Sequence, residues 1–195
     1  MIPQPPDKLN ASLPMTLGIL AGGLGRRMGS RDKGVVVMKG RPLATGFLEA
    51  TAACAESIVC CVDNAYFYRH LADRVLCDLS PNRGPVAGVR ALLAATTTPW
   101  LLVCPVDLTG LSASLISSLY EATQQEDSGL FPTSPDGQHC GLALVRRDQA
   151  DTMLKQTQPS SLSAFFDAAQ LRPFPTEHPL RDIDTPEDIV EKHHA

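Results

Sequence analysis

Short apolar runs alternate with longer segments of helical period along this chain, and this alternation narrows the folds open to it more than any other feature. The apolar runs fall at residues 17–20, 35–38, 58–62, 75–77 and 100–104. Segments with helical spacing fall at residues 42–55, 85–95 and 112–125. Continuous apolar, β-branched runs are typical of buried parallel strands, and their alternation with helices indicates stacked βα units. We therefore expect one doubly wound α/β domain with a mostly parallel, Rossmann-like sheet.

The pattern changes after Gly129. Two strand-like pieces, residues 130–132 and 142–145, flank a turn at residues 134–137, which predicts an antiparallel hairpin added to the sheet. Near the end, Thr185 and Pro186 precede two acidic residues. Threonine as N-cap, proline at the first helical position and acids in the first turn indicate the start of a last helix.

Length and charge exclude several classes of protein. The 195 residues fit a single domain, expected at residues 16–195 after a proline-rich, disordered lead-in at residues 1–15. The net charge is −4 and only 5% of the residues are aromatic, which argues against nucleic-acid binding. Since the N-terminal stretch lacks a signal-peptide core and no window approaches about 18 continuous apolar residues, we expect no membrane association and a cytoplasmic location.

The cysteines are interpreted as structural residues. The chain has six, with no CxxC pair, a pattern that disfavours a metal cage. Four of them lie within apolar runs and are expected in the core as small hydrophobic residues. These four are Cys60, Cys61, Cys77 and Cys104.

A loop rich in glycine and basic residues follows the first apolar run. It contains Gly22, Gly23, Gly25 and Gly29 together with Arg26, Arg27, Arg31 and Lys33. Glycines let the backbone approach a ligand and turn its amides toward phosphate oxygens, whose charge the cations neutralise. The loop lacks the Gly-Lys-Ser/Thr of a Walker A motif, and Met28 stands where the dinucleotide fingerprint requires glycine. It predicts a phosphate cradle of another kind, with an ordinary solvated turn as the alternative.

Asp107 stands at the end of another apolar run. Because the carboxyl ends of parallel strands meet at one edge of the sheet, we expect the ligand near the loops that begin at Ala21, Asp78 and Asp107. A carboxylate there could hold Mg²⁺ and bridge it to phosphates. The alternative is that Asp107 only caps the turn before Thr109 and Gly110.

Four segments resemble a known family. The segment LAGGLGRRMGSRDK at 20–33 is similar to the signature LAGGxxxRMGxxDK of the molybdenum cofactor guanylyltransferases, the MobA family of the nucleotidyltransferase-A fold. GPVAG at 84–88, CPVD at 104–107 and DIDTPED at 182–188 resemble further segments of that family, in the same order. The resemblance implies Mg²⁺-dependent transfer of GMP from GTP to the terminal phosphate of molybdopterin, with release of pyrophosphate.

The resemblance also implies roles for individual residues. The nucleotide-binding residues would be Leu20, Ala21, Gly22, Gly23, Gly25, Gly29, Lys33, Asn64, Asp78 and Asp107. Lys33 would contact the triphosphate, Arg27 would neutralise the departing pyrophosphate and Asp107 would bind Mg²⁺, which makes these three the catalytic residues. Asp182 and Asp184, which replace two asparagines of the family, would bind the acceptor. GTP and molybdopterin, or the molybdenum cofactor, are the implied ligands, and chaperones of molybdoenzymes are candidate partners.

Two alternatives stay open at the level of the sequence. One is a related nucleotidyltransferase, either a cytidylyltransferase or a guanylyltransferase with another phosphorylated acceptor. Related cytidylyl enzymes tend to read LAAG, whereas Gly22 removes a methyl group and leaves room for a purine. The other is a noncatalytic nucleotide-binding module in molybdoenzyme assembly, which would not need to retain both Lys33 and Asp107.

Overall fold

A computed structural model of the protein describes residues 12–22, 32–77, 84–134, 137–183, 185 and 188. These residues build a seven-stranded sheet, two short ribbons and six α-helices. The sheet contains β1 (Leu13–Ala21), β4 (Cys54–Cys61), β5 (Arg74–Cys77), β6 (Trp100–Pro105), β8 (Gly129–Thr133), β9 (Ala143–Arg146) and β10 (Arg172–Pro175). One ribbon pairs β2 (Val37–Met38) with β3 (Arg41–Pro42), and the other pairs β7 (Leu108–Thr109) with β11 (Arg181–Asp182).

The helices connect these strands. They are α1 (Leu48–Ala53), α2 (Ala65–Tyr68), α3 (Pro85–Ala95), α4 (Ala113–Glu121), α5 (Arg147–Gln156) and α6 (Leu162–Ala168). Two 3₁₀ turns, Lys33–Val35 and Leu43–Phe47, complete the described secondary structure. None of the helices in the described ranges is long and apolar enough to cross a membrane.

The sheet confirms the expected doubly wound, mostly parallel architecture. Its strand order is β10-β8-β9-β6-β1-β4-β5, and β9 alone runs antiparallel to its neighbours. The predicted hairpin is β8 followed by β9, with Leu130 opposite Leu144. From β1 the chain continues to β4 and β5 on one side, while β6 lies on the other. This reversal of strand order opens a crevice at the carboxyl ends of β1 and β6, the usual ligand site in such sheets.

The core lies on both faces of the sheet. Successive β1 residues point to opposite faces: Leu17 and Ile19 pack with Leu115 of α4, and the other face is covered by Leu92 of α3. Between them, a Cβ built at Gly18 would lie 2.7 Å from Leu101 Cδ1 and 2.9 Å from Leu92 Cδ1. The absence of a side chain at this position lets α3 pack closely on β1.

The apolar run at 35–38 is not a single strand. Val35 ends a 3₁₀ turn, and Val37–Met38 pairs with Arg41–Pro42 in a two-stranded ribbon outside the seven-stranded sheet. The reason is the two-residue turn between these strands, in which Lys39 and Gly40 both have positive φ values, of 50° and 79°. Such a turn closes a tight hairpin and keeps the run out of the main sheet.

Two helices are shorter than their sequence patterns indicated. The 42–55 segment begins as the 3₁₀ turn Leu43–Phe47, and its helix ends at Ala53 because Cys54 already has extended backbone. The 112–125 segment is helical over Ala113–Glu121, with the Ser112 hydroxyl accepting from the Leu115 N–H as an N-cap.

The expected start of the last helix is described only at Thr185 and Asp188. The Asp188 carboxylate accepts hydrogen bonds from the Thr185 N–H and hydroxyl, at 2.8 and 3.0 Å. Pro186 and Glu187 lie outside the described residues.

The expectation for the cysteines holds for three of the four. Cys60, Cys61 and Cys104 are buried, but Cys77 is exposed. Cys77 ends β5, which is an edge strand, so its apolar run is not covered on every side.

Candidate active site

A salt bridge joins Lys33 to Asp107 at the crevice. The Lys33 ammonium donates to Asp107 Oδ2 at 2.6 Å, across 74 positions of sequence. The two side chains are only 14% and 17% exposed. Lys33 begins a 3₁₀ turn, and Asp107 lies two residues after the end of β6 at Pro105. The structure therefore brings together the cation and the carboxylate that the sequence singled out separately.

Backbone hydrogen bonds fix Asp107 from two sides. The Val106 N–H donates to the Leu20 carbonyl at 3.0 Å, which continues the pairing of β6 with β1. The Ile183 N–H donates to the carbonyl of Asp107 itself, also at 3.0 Å. The position of this carboxylate thus depends on both the central strand and the segment that follows β11.

Asp182 lies close to Asp107. In the β7–β11 ribbon it pairs with Leu108, the residue after Asp107. Burial raises the pKa of the Cys140 thiol to about 11, and the negative charges of Asp182 and Asp107 both add to the rise. The same two carboxylates add to the effect of burial on the pKa of Cys104. The predicted acceptor residue and the predicted metal ligand therefore lie close enough together to act on the same two thiols.

A pocket of about 440 Å³ opens beside this region. Its polar lining includes Ser134, Gln138, His139, Cys140, His178 and Asp182. The volume falls within the range of small-molecule sites.

The predicted nucleotide residues of β1 lie at the carboxyl end of that strand. Ala21 is buried and pairs with Cys61, whereas Gly22 is exposed. A Cβ at Gly22 would lie 3.3 Å from Val62 Cγ2, so the room left by this glycine is bounded by Val62. The Leu20 side chain packs under α3, where a Cβ at Gly88 would lie 2.6 Å from Leu20 Cδ2.

Asn64, which follows β4, is hydrogen-bonded to Asp32. It has a positive φ of 57°, and its side-chain amide donates to Asp32 Oδ2 at 3.0 Å. Asp32 Oδ1 accepts from the Gly34 N–H at 2.9 Å and from the Tyr68 hydroxyl at 2.6 Å. Burial, the hydrogen bond to Asp32 and the Asp32 charge together raise the pKa of Tyr68.

Sequence reasoning gave no role to Asp32 or Tyr68. An aspartate two residues before a glycine is typical of a turn in which the carboxylate binds a nearby backbone N–H, and that signal could have drawn attention to Asp32. Tyr68 is 36 positions away, and no local pattern links it to Asp32.

The residues present fit a magnesium ion held together with a nucleotide. Within the described parts of the chain, no group of three or more His, Cys, Asp or Glu side chains forms a metal cage. Mg²⁺ does not need one, since it is commonly bound by one or two carboxylates, retained waters and substrate phosphates. The Asp107 carboxylate at the crevice matches that donor set.

Some predicted site residues cannot be placed. Gly23, Gly25, Arg27, Gly29, Asp78 and Asp184 lie outside the described residues. Their roles stay predictions.

Comparisons with known proteins identify the family and the fold. A family model described as MobA-like NTP transferase domain matches residues 17–173. Over 130 residues the chain is 38% identical to the molybdenum cofactor guanylyltransferase of Pseudomonas aeruginosa, a match that covers 66% of this chain and 63% of that relative, less than two thirds of its length. It is 30% identical over 176 residues to the molybdenum cofactor guanylyltransferase of Pseudomonas syringae pv. syringae, covering 87% of this chain and 82% of the relative.

A solved structure shares the fold. Molybdopterin-guanine dinucleotide biosynthesis protein A from Archaeoglobus fulgidus superposes with a TM-score of 0.69 at 21% sequence identity, over 90% of this chain and 95% of that one.

Proposed function

Because the chain belongs to the family of MobA-like NTP transferase domains, we propose that it transfers GMP from GTP to the terminal phosphate of molybdopterin, forming molybdopterin guanine dinucleotide and pyrophosphate. The observation that carries this proposal is the contact between Lys33 and Asp107 at the crevice. It supplies a cation for a triphosphate and a carboxylate for a metal at one point. The names of the related guanylyltransferases support the nucleotide and the acceptor.

The reaction needs positioning more than a protein nucleophile. An oxygen of the acceptor phosphate forms a bond to the α-phosphorus of GTP, while the bond from that phosphorus to the bridging oxygen breaks and pyrophosphate leaves. The acceptor oxygen is already anionic, so no base has to activate it. Such a transfer depends on alignment and on cations near the leaving group. Lys33 would bind the triphosphate, and Arg27 would neutralise the pyrophosphate.

Asp107 would hold Mg²⁺. When bound, that ion would supply positive charge beside the phosphate oxygens. Lys33 and Asp107 neutralise each other in the protein itself. A magnesium triphosphate offers each of them a new partner of opposite charge, so the pair would be held ready for the substrate without a buried excess of charge.

The acceptor would occupy the pocket beside Asp182. A carboxylate only accepts hydrogen bonds and repels a nearby phosphate. Asp182 would therefore face the pterin ring, which is rich in N–H donors, while the acceptor phosphate points toward Lys33. Asp182→Ala should raise KM for the pterin substrate and leave the affinity for GTP unchanged. Equal losses for both substrates would place the acceptor elsewhere.

Pyrophosphate release tests the proposal directly. The purified protein is incubated with molybdopterin, Mg²⁺ and each of the four nucleoside triphosphates. GTP should be used at least about tenfold better than CTP, since a missing steric clash is worth ~1–3 kcal/mol. Asp107→Asn should lower turnover by about two decades or more with an unchanged circular dichroism spectrum. Equal use of CTP would overturn the guanylyl assignment, and absence of release with every nucleotide would overturn transferase activity.

A further inference from the structure

We propose that Asp32 is a positioning residue that holds Lys33 against Asp107, and that the Tyr68 hydroxyl and the Asn64 amide hold Asp32 in that role. This rests on the proposed function in one respect, namely that Lys33 binds the triphosphate. Asp32 itself would touch neither substrate. Asn64, predicted from family resemblance as a nucleotide contact, would serve the same positioning network.

The Asp32 carboxylate is held through both of its oxygens. Oδ1 accepts from the Tyr68 hydroxyl at 2.6 Å and from the Gly34 N–H at 2.9 Å, and Oδ2 accepts from the Asn64 amide at 3.0 Å. A hydroxyl at 2.6 Å from a carboxylate is a short, charge-assisted hydrogen bond. Tyr68 is fully buried, so packing fixes the direction from which its hydroxyl approaches.

The turn that carries Lys33 is enclosed on two sides. A Cβ at the buried Gly34 would overlap the Tyr68 hydroxyl and would lie 2.8 Å from Val106 Cγ2. Val106 directly precedes Asp107. The turn is therefore packed between the tyrosine that binds Asp32 and the residue next to the carboxylate that Lys33 reaches.

Backbone hydrogen bonds within the turn connect Asp32 to the position of Lys33. The Val35 N–H donates to the Asp32 carbonyl at 3.3 Å, and the Val36 N–H donates to the Lys33 carbonyl at 3.1 Å. These bonds set the direction in which the Lys33 side chain leaves the backbone. Because a lysine side chain has many rotamers, a fixed starting point limits the number of positions its ammonium can occupy.

Coupling to Lys33 distinguishes a positioning role from a purely structural turn cap. Tyr68→Phe removes only the hydroxyl, and Tyr66→Phe is a matched control on the same helix at a residue that is 74% exposed. Tyr68→Phe should lower kcat/KM for GTP about ten- to a hundredfold, by analogy with the loss seen when a hydrogen-bond partner of a metal ligand is removed. KM for the acceptor should not change, and Tyr66→Phe should match the unsubstituted protein.

A double-mutant cycle with Lys33→Ala sharpens this test. If Tyr68 acts through Lys33, Tyr68→Phe should change activity by less than about twofold in the Lys33→Ala background. The same relative loss in both backgrounds would overturn the proposal. Asp32→Asn, which keeps the shape of the side chain, provides a second variant should Tyr68→Phe fold poorly.

Chemical labelling of Lys33 gives a readout that needs no enzymatic activity. Held against Asp107, its ammonium should react slowly with acetic anhydride, and Tyr68→Phe should increase its acetylation rate about severalfold, measured by mass spectrometry. Lys155, whose side chain is 73% exposed, is the internal reference. An unchanged Lys33 rate in both Tyr68→Phe and Asp32→Asn would overturn the positioning role. Failure of the proposed function would instead appear as absence of pyrophosphate release from the unsubstituted protein.

Discussion

Lys33 and Asp107 depend on each other energetically as well as chemically. Both side chains are mostly shielded from solvent, and a shielded charge is costly unless an opposite charge lies beside it. Replacing one partner would leave the other poorly compensated. Substitutions that retain a similar shape, such as Asp107→Asn, therefore need a stability measurement beside the activity measurement.

Two cysteines that face each other should react very differently. Cys61 of β4 pairs with Cys77 of β5. The pKa of Cys61 is raised to about 12, chiefly by burial, whereas Cys77 is exposed. Since the thiolate is the nucleophile, iodoacetamide at about pH 8 should label Cys77 first and leave Cys61 intact in the folded protein. Peptide mass spectrometry measures both rates, and labelling in denaturant is the control. Equal rates under native conditions would contradict the burial of Cys61.

At the scale of elements, the β7–β11 ribbon connects Asp182 to the segment after β6. Gly110, which follows β7, has a φ of 86°, and a Cβ there would overlap the backbone carbonyl oxygen of Pro179. The chain that leads into β11 therefore crosses closely over this glycine. Correct placement of Asp182 depends on that close approach.

Gly110→Ala and Gly137→Ala form a matched pair of substitutions. Both glycines have positive φ values, of 86° and 82°, but nothing lies within 4 Å of a Cβ at Gly137. Gly137→Ala should lower the free energy of unfolding by about 1 kcal/mol from backbone strain alone. Gly110→Ala should lower it by about 2 kcal/mol more because of the added overlap. Urea unfolding measures both, and equal losses would show that the crossing at Pro179 is not tight.

An ion pair ties β10 to the turn after α4. Arg172 donates to Asp127 at 2.8 Å and to the Ala122 carbonyl at 2.9 Å. The hydrogen bond from Arg172 is the main cause that lowers the pKa of Asp127 from its ordinary value of 3.8. The Asp127 carboxylate therefore binds a proton more readily in the unfolded chain than in the folded protein. The contribution of this ion pair to the free energy of unfolding is complete above about pH 5 and is lost as the pH falls through the lowered pKa.

Asp127→Asn should therefore lower Tm at neutral pH, and the difference from the unsubstituted protein should shrink as the pH falls below 3.8. Asp151→Asn is the control. It breaks an exposed pair with Lys155, whose side chains are 49% and 73% exposed, and such pairs contribute little. Thermal unfolding followed over a pH series gives both curves. A Tm difference for Asp127→Asn that does not vary with pH would rule out this charge effect.

At the scale of the whole molecule, the crevice lies where the two halves of the sheet diverge. Lys33 follows β1, Asp107 follows β6 and Asp182 comes from the far end of the described chain. A ligand that contacts all three would join segments that are remote in sequence. Its binding should therefore stabilise the folded protein as a whole.

Magnesium GTP at about a hundred times its Kd should stabilise the protein by about 2.7 kcal/mol. For a chain of this size that corresponds to a rise in Tm of about 5–10 °C. EDTA and Asp107→Asn should each remove the magnesium-dependent part of the rise. Differential scanning fluorimetry with GTP, CTP and ATP provides the comparison, and equal shifts for all three would contradict a guanine preference.

Local sequence signals were enough to predict the central strands and helices α1, α3 and α4, since hydrophobic period and terminal signals are local. No prediction was made for helices α2, α5 and α6 or for strands β10 and β11. Helix α3 was predicted at its observed bounds because Pro85 is typical of a first helical position and the helical spacing continues to Ala95. The short strands and turns were predicted less well. In the run at 35–38, Val35 ends a 3₁₀ turn, and the run is followed by a turn at Lys39 and Gly40 whose positive φ values the apolar pattern does not reveal.

Which of the predicted site residues come into contact depends on tertiary packing. The Lys33–Asp107 contact requires β1 and β6 to be neighbours, and the hydrogen bond from Tyr68 to Asp32 requires α2 to pack beside the 3₁₀ turn. These contacts span 74 and 36 positions of sequence. A pattern in one segment reflects its own burial and backbone preference, whereas the partner of a side chain is set by how distant segments pack against one another.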